Sequence, residues 1–422
     1  MFGYPTKVVN TFGQESEFSY DKFNRAIRKD VNRVKSIIEY NRNGSPTKFS
    51  SEYKGEIIVS TEVTYNKDGA PIACRDQNGF VHEYIRNSKG NVIREIYPDY
   101  TEVNYTYNDL GKLTTVVDQN GHEIKLSWCQ YGLDSKTTAV GQITQNYYDD
   151  FGRLRAVDSK FEDQPSVRSF NYTYDKLDRI VEIKYGKNEI ERRKYDSWGR
   201  VIEKFKNGRG SYFKYDHFGR LIEKNEDNIL IRYVYDNYGR RLLRSANKDK
   251  DIWNEANAYD KYGRLIKTVA GGKAVEYIYN EKNQLCEQIV DGNRIKITYT
   301  SLGQLESKIL LDRDGQKLSE LRYFYSKSGQ VVSRLANGRL QSYKYDAKNQ
   351  LTSVYDEESK RYTEKYVYDP SGNILEKTIN GKTTTYSYDA ANQLVSSISP
   401  NGEITNYAYD AAGRMVREGN KV

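Results

Sequence analysis

Aspartate, tyrosine and arginine are the side chains in this sequence best equipped for chemistry, and they recur together. The phrase Tyr-Asp-x-x-Gly-Arg-Leu, or a close variant, is read at Tyr148–Leu154, Tyr195–Val201 and Tyr215–Leu221, and fourteen copies can be aligned. Two carboxylates brought face to face could act as an acid–base pair. A row of arginines could hold a polyanion. The recurrence argues against the first idea. An active site is one constellation, whereas a residue found at the same place in every copy serves the geometry of the copy. The aspartates are therefore assigned to turns.

Other candidate groups are sparse. The three histidines, His82, His122 and His217, lie apart in sequence, and two of them sit in or beside turn phrases. Cys74, Cys129 and Cys286 are odd in number and far apart, which gives neither a disulfide framework nor zinc-ligand spacing. Gly208-Arg209-Gly210 has the outline of a phosphate loop but no helix signal after it. No nucleophile elbow or Cys-His pairing is visible. The sequence thus points to no catalytic residue, no metal site and no cofactor site. The arginine at the fifth position, as at 153, 179, 200, 220, 240, 264 and 414, fits a side chain that pairs with its turn aspartate or stacks on a neighbouring tyrosine. The competing reading is a cationic ladder. A formal net charge of +8 allows it, but 58 acidic residues are interspersed among 66 basic ones. Nucleic acid is disfavoured as a partner on that ground.

The elements that must position these residues follow from the period. From Tyr174 to Tyr409 the anchoring tyrosines are 20 to 26 residues apart, and most intervals are 20 or 21. Such a period means one supersecondary unit copied along the chain. With the anchor tyrosine as position zero, position one is Asp, Asn, Ser or Thr in all fourteen copies. A short oxygen-bearing side chain there accepts backbone N–H groups two residues on and starts a turn. Position four is Gly in ten copies and Asn or Asp in the others, the residue types that best tolerate positive φ. Asp149 with Gly152, Asp196 with Gly199, Asp216 with Gly219, Asp236 with Gly239, Asp260 with Gly263 and Asp410 with Gly413 define this turn. It reads as a type I turn closed by a left-handed residue, the pattern of a hairpin with a bulge.

Position six is apolar in thirteen of the fourteen copies, Arg241 being the exception. A second tyrosine precedes the anchor by two residues in many copies, and residues two apart on a strand share a face. The pairs Tyr343 and Tyr345, Tyr366 and Tyr368, Tyr386 and Tyr388, and Tyr407 and Tyr409 thus make one tyrosine face. Asn207-Gly208, Asp291-Gly292, Asn337-Gly338, Asn380-Gly381 and Asn401-Gly402 supply a second turn per copy, of the type I′ kind. One copy is two strands and two turns. The charged stretch from Arg25 to Ile38 is the one place where a helix competes with degenerate strands.

The expected fold is all-β: tandem hairpins of about twenty residues forming a long, curved antiparallel sheet wound as a spiral or hollow shell. Residues 1–106 carry diverged copies, such as Tyr20-Asp21-Lys22-Phe23-Asn24-Arg25, continuous with a regular array over residues 107–422. No linker or separate domain is read. Mean hydropathy is −0.86, so aliphatic residues are too few for a sandwich core, and the 39 tyrosines must supply much of the buried area. The opening residues, Met1 to Lys7, have no apolar signal region, and no stretch has the length of a membrane span.

Repeated Tyr-Asp-x-x-Gly-Arg-Leu at this spacing resembles the Rhs, or YD-repeat, family. Its members include bacterial polymorphic toxins, the C component of insecticidal toxin complexes, wall-associated toxins and teneurins. The resemblance implies a non-catalytic shell segment of a toxin-delivery protein. Its partners would be an enclosed polypeptide cargo or flanking Rhs domains. It would fold in the bacterial cytoplasm and then be exported or displayed at the cell surface as part of a larger protein. The alternative is a secreted or surface array whose tyrosines bind carbohydrate. In toxin members the shell is cleaved at an aspartate-containing segment. Here Asp369-Pro370-Ser371-Gly372 has that outline but sits at a repeat anchor with ordinary spacing on both sides, and reads as a turn variant.

Overall fold

The computed structural model describes residues 4–10, 15–31, 34–53, 55–186, 189–248 and 251–419. Met1 to Gly3 of the opening stretch, and residues 32–33 of the charged stretch, lie outside them. The described residues form 39 β-strands and no helix. The charged stretch is read as strands, Ala26–Val31 and Val34–Tyr40. Strand lengths run from three residues in Lys7–Val9 to ten in Glu56–Tyr65.

The hairpin is built the same way in copy after copy. In the copy anchored at Tyr215, the Gly219 N–H donates to the Asp216 carbonyl at 3.0 Å, which closes a four-residue turn. The Asp216 N–H donates to the Arg220 carbonyl at 2.9 Å. The ladder then slips by one residue between Lys214 and Tyr215, so that Tyr215 faces Leu221. This slip is a β-bulge, and it needs a left-handed residue: Gly219 has φ +83°. Where glycine is absent, Asn283, Asn349 and Asn392 hold φ of 63°, 65° and 60°. These Tyr-Asp turns lie along one edge of the ladder, the anchor edge.

Turns on the far edge are of two kinds. Asn207-Gly208, Asp291-Gly292, Asn337-Gly338 and Asn380-Gly381 have positive φ at both residues, as a type I′ turn requires. Asn401-Gly402 differs from the sequence reading, because only Gly402 is left-handed. The reason is the preceding Ser399-Pro400. The Ser399 carbonyl accepts the Gly402 N–H at 2.9 Å, so Pro400 occupies the second position of a type I turn, where its fixed φ belongs.

The chain divides into two compact units. The first comprises Met1–Glu123, Tyr277–Tyr388 and Leu394–Thr405; the second comprises Ile124–Glu276, Asp389–Gln393 and Asn406–Val422. Within each, strands pair antiparallel with their neighbours in sequence, as Val201–Lys206 pairs with Glu189–Tyr195 on one side and Arg209–Tyr215 on the other.

The ladder is a single layer. Among the described residues only Val103, Ala156, Ile183, Ile297 and Val354 are buried apolar residues. The accessible surface is 26998 Å², against about 17,000 Å² for a solid globule of this mass. Both faces of the sheet therefore remain accessible over much of its extent. One buried carboxylate is met by two cations: Glu191, 3% exposed, lies 2.5 Å from Arg193 Nη2 and 3.1 Å from Lys204 Nζ.

The anchor-edge turn makes a direct test. Gly219→Val should lower stability by about 1–3 kcal/mol, because a β-branched residue is strained at φ +83°. Gly219→Asn should cost much less, since asparagine already occupies the equivalent place in three copies. Thermal melts of the two variants compare them; equal melting temperatures would contradict the turn geometry.

Candidate functional site: the clasp between repeats

The aspartates singled out in the sequence each make the same three bonds. Asp216 Oδ1 accepts the N–H of Phe218 at 3.0 Å and of Arg220 at 2.9 Å, and Oδ2 accepts Arg220 Nε at 2.6 Å. The set recurs at Asp149, Asp196, Asp236, Asp260 and Asp410, with distances of 2.6–3.0 Å. Burial is the largest single influence on the Asp216 carboxyl and pushes it upward. The Arg220 backbone N–H, the Arg220 guanidinium and the Phe218 N–H together hold it below the usual carboxylate range. At Asp175 the Arg179 guanidinium is the leading influence, and the direction is the same.

The arginine has a second task. Arg220 Nη1 donates to the Asp236 carbonyl of the following copy at 2.9 Å, and its guanidinium lies 5.0 Å from the Tyr235 ring centroid. Arg179, Arg200 and Arg240 repeat both contacts, with hydrogen bonds of 3.1–3.3 Å and ring distances of 4.8–4.9 Å. Position-four glycine also gives the crossing side chain room. A Cβ on Gly372 would sit 2.9 Å from Gln350 Nε2, the group that replaces arginine in the preceding copy.

The anchor tyrosine reaches back in the opposite direction. Its hydroxyl donates to the position-six carbonyl of the preceding copy: Tyr195 to Ile180, Tyr215 to Val201, Tyr235 to Leu221 and Tyr345 to Val331, at 2.6–2.8 Å. The junctions after Arg179, Arg200, Arg220 and Arg240 are thus held by a tyrosine pointing backward and an arginine pointing forward. The amino-acid sequence pointed to the arginine's pairing with its turn aspartate and its stacking on a neighbouring tyrosine, but not to the tyrosine hydroxyl's bond to the preceding copy or the arginine's bond to the following carbonyl. Their one trace is that tyrosine, apolar residue and arginine keep a common register over the full period.

The tyrosine face is the more buried of the two. Tyr343 and Tyr345 flank exposed Lys344, Tyr366 and Tyr368 flank exposed Val367, and Tyr386 and Tyr388 flank exposed Ser387. Tyr407 and Tyr409 are half-buried, as is Ala408 between them. Burial raises the hydroxyl pKa of Tyr343, Tyr345 and Tyr368. Tyr366 is raised by burial and by donating to Glu364 Oε2 at 2.6 Å.

The remaining candidates are placed as follows. His82 stacks between Tyr84 and Tyr97, both 4.6 Å away, beside a cavity of about 500 Å³ in the first unit. His122 Nδ1 lies 3.5 Å from Asp118 Oδ2, and His217 packs against Phe218. The three cysteines are free. Among the described residues no cluster of three or more His, Cys, Asp or Glu is arranged to hold a metal ion. No described helix is long and apolar enough to cross a membrane. Asp369 belongs to an ordinary anchor-edge turn, with the Gly372 N–H on its carbonyl at 3.0 Å.

Distant copies also meet. In the first unit Lys348 Nζ contacts Asp99 Oδ2 and the Pro370 carbonyl, each at 2.6 Å, and Asn120 Nδ2 donates to Asp369 Oδ2 at 2.9 Å. In the second unit Gln142 Nε2 reaches Gln393 Oε1 at 3.1 Å and the Asp410 carbonyl at 3.2 Å. In both cases anchor-edge turns late in the chain rest on far-edge turns about 250 residues earlier, which means that the ladder winds back on itself.

The RHS Repeat family pattern matches residues 368–404 and 388–420. Residues 368–420 are thus Rhs, or YD, repeats. No curated protein sequence matches it. The YD ladder resembles the solved TcdB2-TccC3 chain with a TM-score of 0.57 at 12% identity, over 97% of this chain and 32% of that one. A TcdB2-TccC3-TEV structure matches with a TM-score of 0.55 at 12% identity, over 95% and 30%. A Photorhabdus luminescens Tc holotoxin pore matches with a TM-score of 0.57 at 15% identity, over 96% and 22%. The likeness is one of fold, and this chain spans a third or less of the length of those chains.

Two outcomes test the clasp. Tyr215→Phe should cost about 1 kcal/mol, by removing the bond to the Val201 carbonyl while keeping the ring; a melting temperature equal to the parent's would argue against it. The turn carboxyls have folded-state pKa values below the unfolded 3.8. Their stabilisation is therefore complete above the unfolded value and is lost as pH falls below 3.8 and through the lower folded values. Denaturant melts between pH 6 and pH 2, a range chosen to bracket these values, should show that loss, and Asp216→Asn should make the profile shallower.

Proposed function

We propose that these residues form part of the wall of a YD-repeat shell, with a non-catalytic role: enclosing a polypeptide cargo and keeping it from its surroundings. The observation that carries this reading is the winding. Anchor-edge turns near residues 348–369 seat on far-edge turns near residues 99–120, so a one-layer sheet closes laterally on itself without a filled core. A wall needs that combination: continuous hydrogen bonding along the strip, lateral seams between windings, and no solid interior. The repeating clasps favour a mechanical role, because they spend the tyrosine hydroxyls and the arginines on the next hairpin rather than presenting them to a substrate.

On this reading the partners are flanking Rhs-type segments that extend the wall, together with the enclosed cargo. The polypeptide would fold in the bacterial cytoplasm and act after export or at the cell surface. The test is limited proteolysis of the polypeptide carrying residues 1–422 with whatever flanks them. A flanking domain should resist protease while the ladder is intact and become cleavable once acid opens it. A flanking domain cut at the same rate in both states would overturn encapsulation.

A further inference from the structure

Within the first unit a cavity of about 500 Å³ lies where two windings meet. One wall is the ladder around Cys74 and His82, with the far-edge turn at 76–79. The other wall is the pair of anchor-edge turns at 346–349 and 369–372. The two walls are far apart in the chain, so the cavity exists only while the windings are seated on each other.

Strand register gathers the lining. Cys74 stands opposite His82 across one pair of strands, and Tyr84 stands opposite Glu95 across the next. His82 and Tyr84 are two residues apart and share a face, which puts all four on one side of the sheet. The His82 ring stacks between Tyr84 and Tyr97, with both centroids 4.6 Å away. Phe80, Pro98 and Pro370 add further apolar surface to the lining.

Two buried polar atoms in this lining have no hydrogen-bond partner: His82 Nε2 on one wall and Ser371 Oγ on the other. Glu95 Oε2 lies 3.5 Å from His82 Nε2 without bonding it, and already takes the Tyr97 hydroxyl at 3.2 Å. Leaving a buried polar atom unpaired costs free energy, so such atoms normally have partners. The charged groups of the lining are engaged. Lys348 Nζ meets Asp99 Oδ2 and the Pro370 carbonyl, each at 2.6 Å. Asp76 Oδ1 takes the N–H groups of Asn78 and Phe80 at 2.9 Å.

These features describe a ligand. Stacked rings favour a flat apolar molecule. Engaged charges favour an uncharged one. An imidazole nitrogen and a serine hydroxyl can each donate or accept, so both can be met by a hydroxyl group. The volume suits a molecule of one or two rings. A sugar fits less well, because it would bring several hydroxyls against ring faces where two buried atoms wait for a partner.

We propose that this cavity binds a small, uncharged hydroxyaromatic molecule, which reaches from His82 to Ser371 and fastens one winding to the next. The site is separate from any cargo the wall encloses.

The test uses β-naphthol and the full chain at neutral pH, where this probe is uncharged. Binding should saturate at one site and raise the melting temperature. Because Cys74 belongs to the lining, the probe should slow its alkylation by N-ethylmaleimide and leave that of Cys286 unchanged. His82→Phe keeps a ring in the stack but removes Nε2, and Ser371→Ala removes the hydroxyl. Each should weaken binding about fivefold, with circular dichroism matching the parent. Ala347→Phe, which places a ring in the cavity, should abolish binding. Absence of saturable binding, unchanged alkylation of Cys74, parental affinity in all three variants, or binding of glucose in place of β-naphthol would each overturn the proposal.

Discussion

Everything in this fold rests on the contact between one hairpin and the next. A lone hairpin of twenty residues has too little apolar surface to stay folded in water. Here the joint is made by two side chains that each do two things. Arg220 closes its own turn through Asp216 and then crosses to the carbonyl and ring of the following copy. Tyr215 lies in the half-buried face and sends its hydroxyl back to the preceding copy. The aspartate makes this economical, since one carboxylate holds both the turn backbone and the arginine that leaves it. Exposed ion pairs contribute little singly. These are half-buried, lie against a tyrosine ring, and recur from Arg179 through Arg240.

That joint explains how a chain with mean hydropathy −0.86 holds a single sheet without a conventional core. Stability is distributed along the strip as a sum of nearest-neighbour terms, as in other repeat proteins. The ladder can then curve and return to itself, and the lateral seams are polar: Lys348 on Asp99, Asn120 on Asp369, Gln142 on Gln393. Seams of this kind add lateral order without requiring that either face of the sheet be apolar.

The repeat, the hairpin, the bulge and the tyrosine face were all legible in the amino-acid order, because each depends on residues within about twenty positions. Position-four glycine reports a left-handed turn wherever it occurs, whereas Asn-Gly is a two-residue turn at Asn207-Gly208, Asn337-Gly338 and Asn380-Gly381 but the end of a four-residue turn at Asn120-Gly121 and Asn401-Gly402. The arginine's ion pair and ring stacking were legible too, but the two hydrogen bonds to backbone carbonyls of adjacent copies were not. A tyrosine hydroxyl bonded to a backbone carbonyl leaves no mark on the identity of the residue that accepts it.

Local sequence, then, determined the unit and its period, since turns and strand faces are short-range consequences of residue type. The tertiary structure alone decided which copies meet after some 250 residues, because that offset depends on the accumulated twist and curvature of the whole ladder, to which every bulge and every strand length contributes a little.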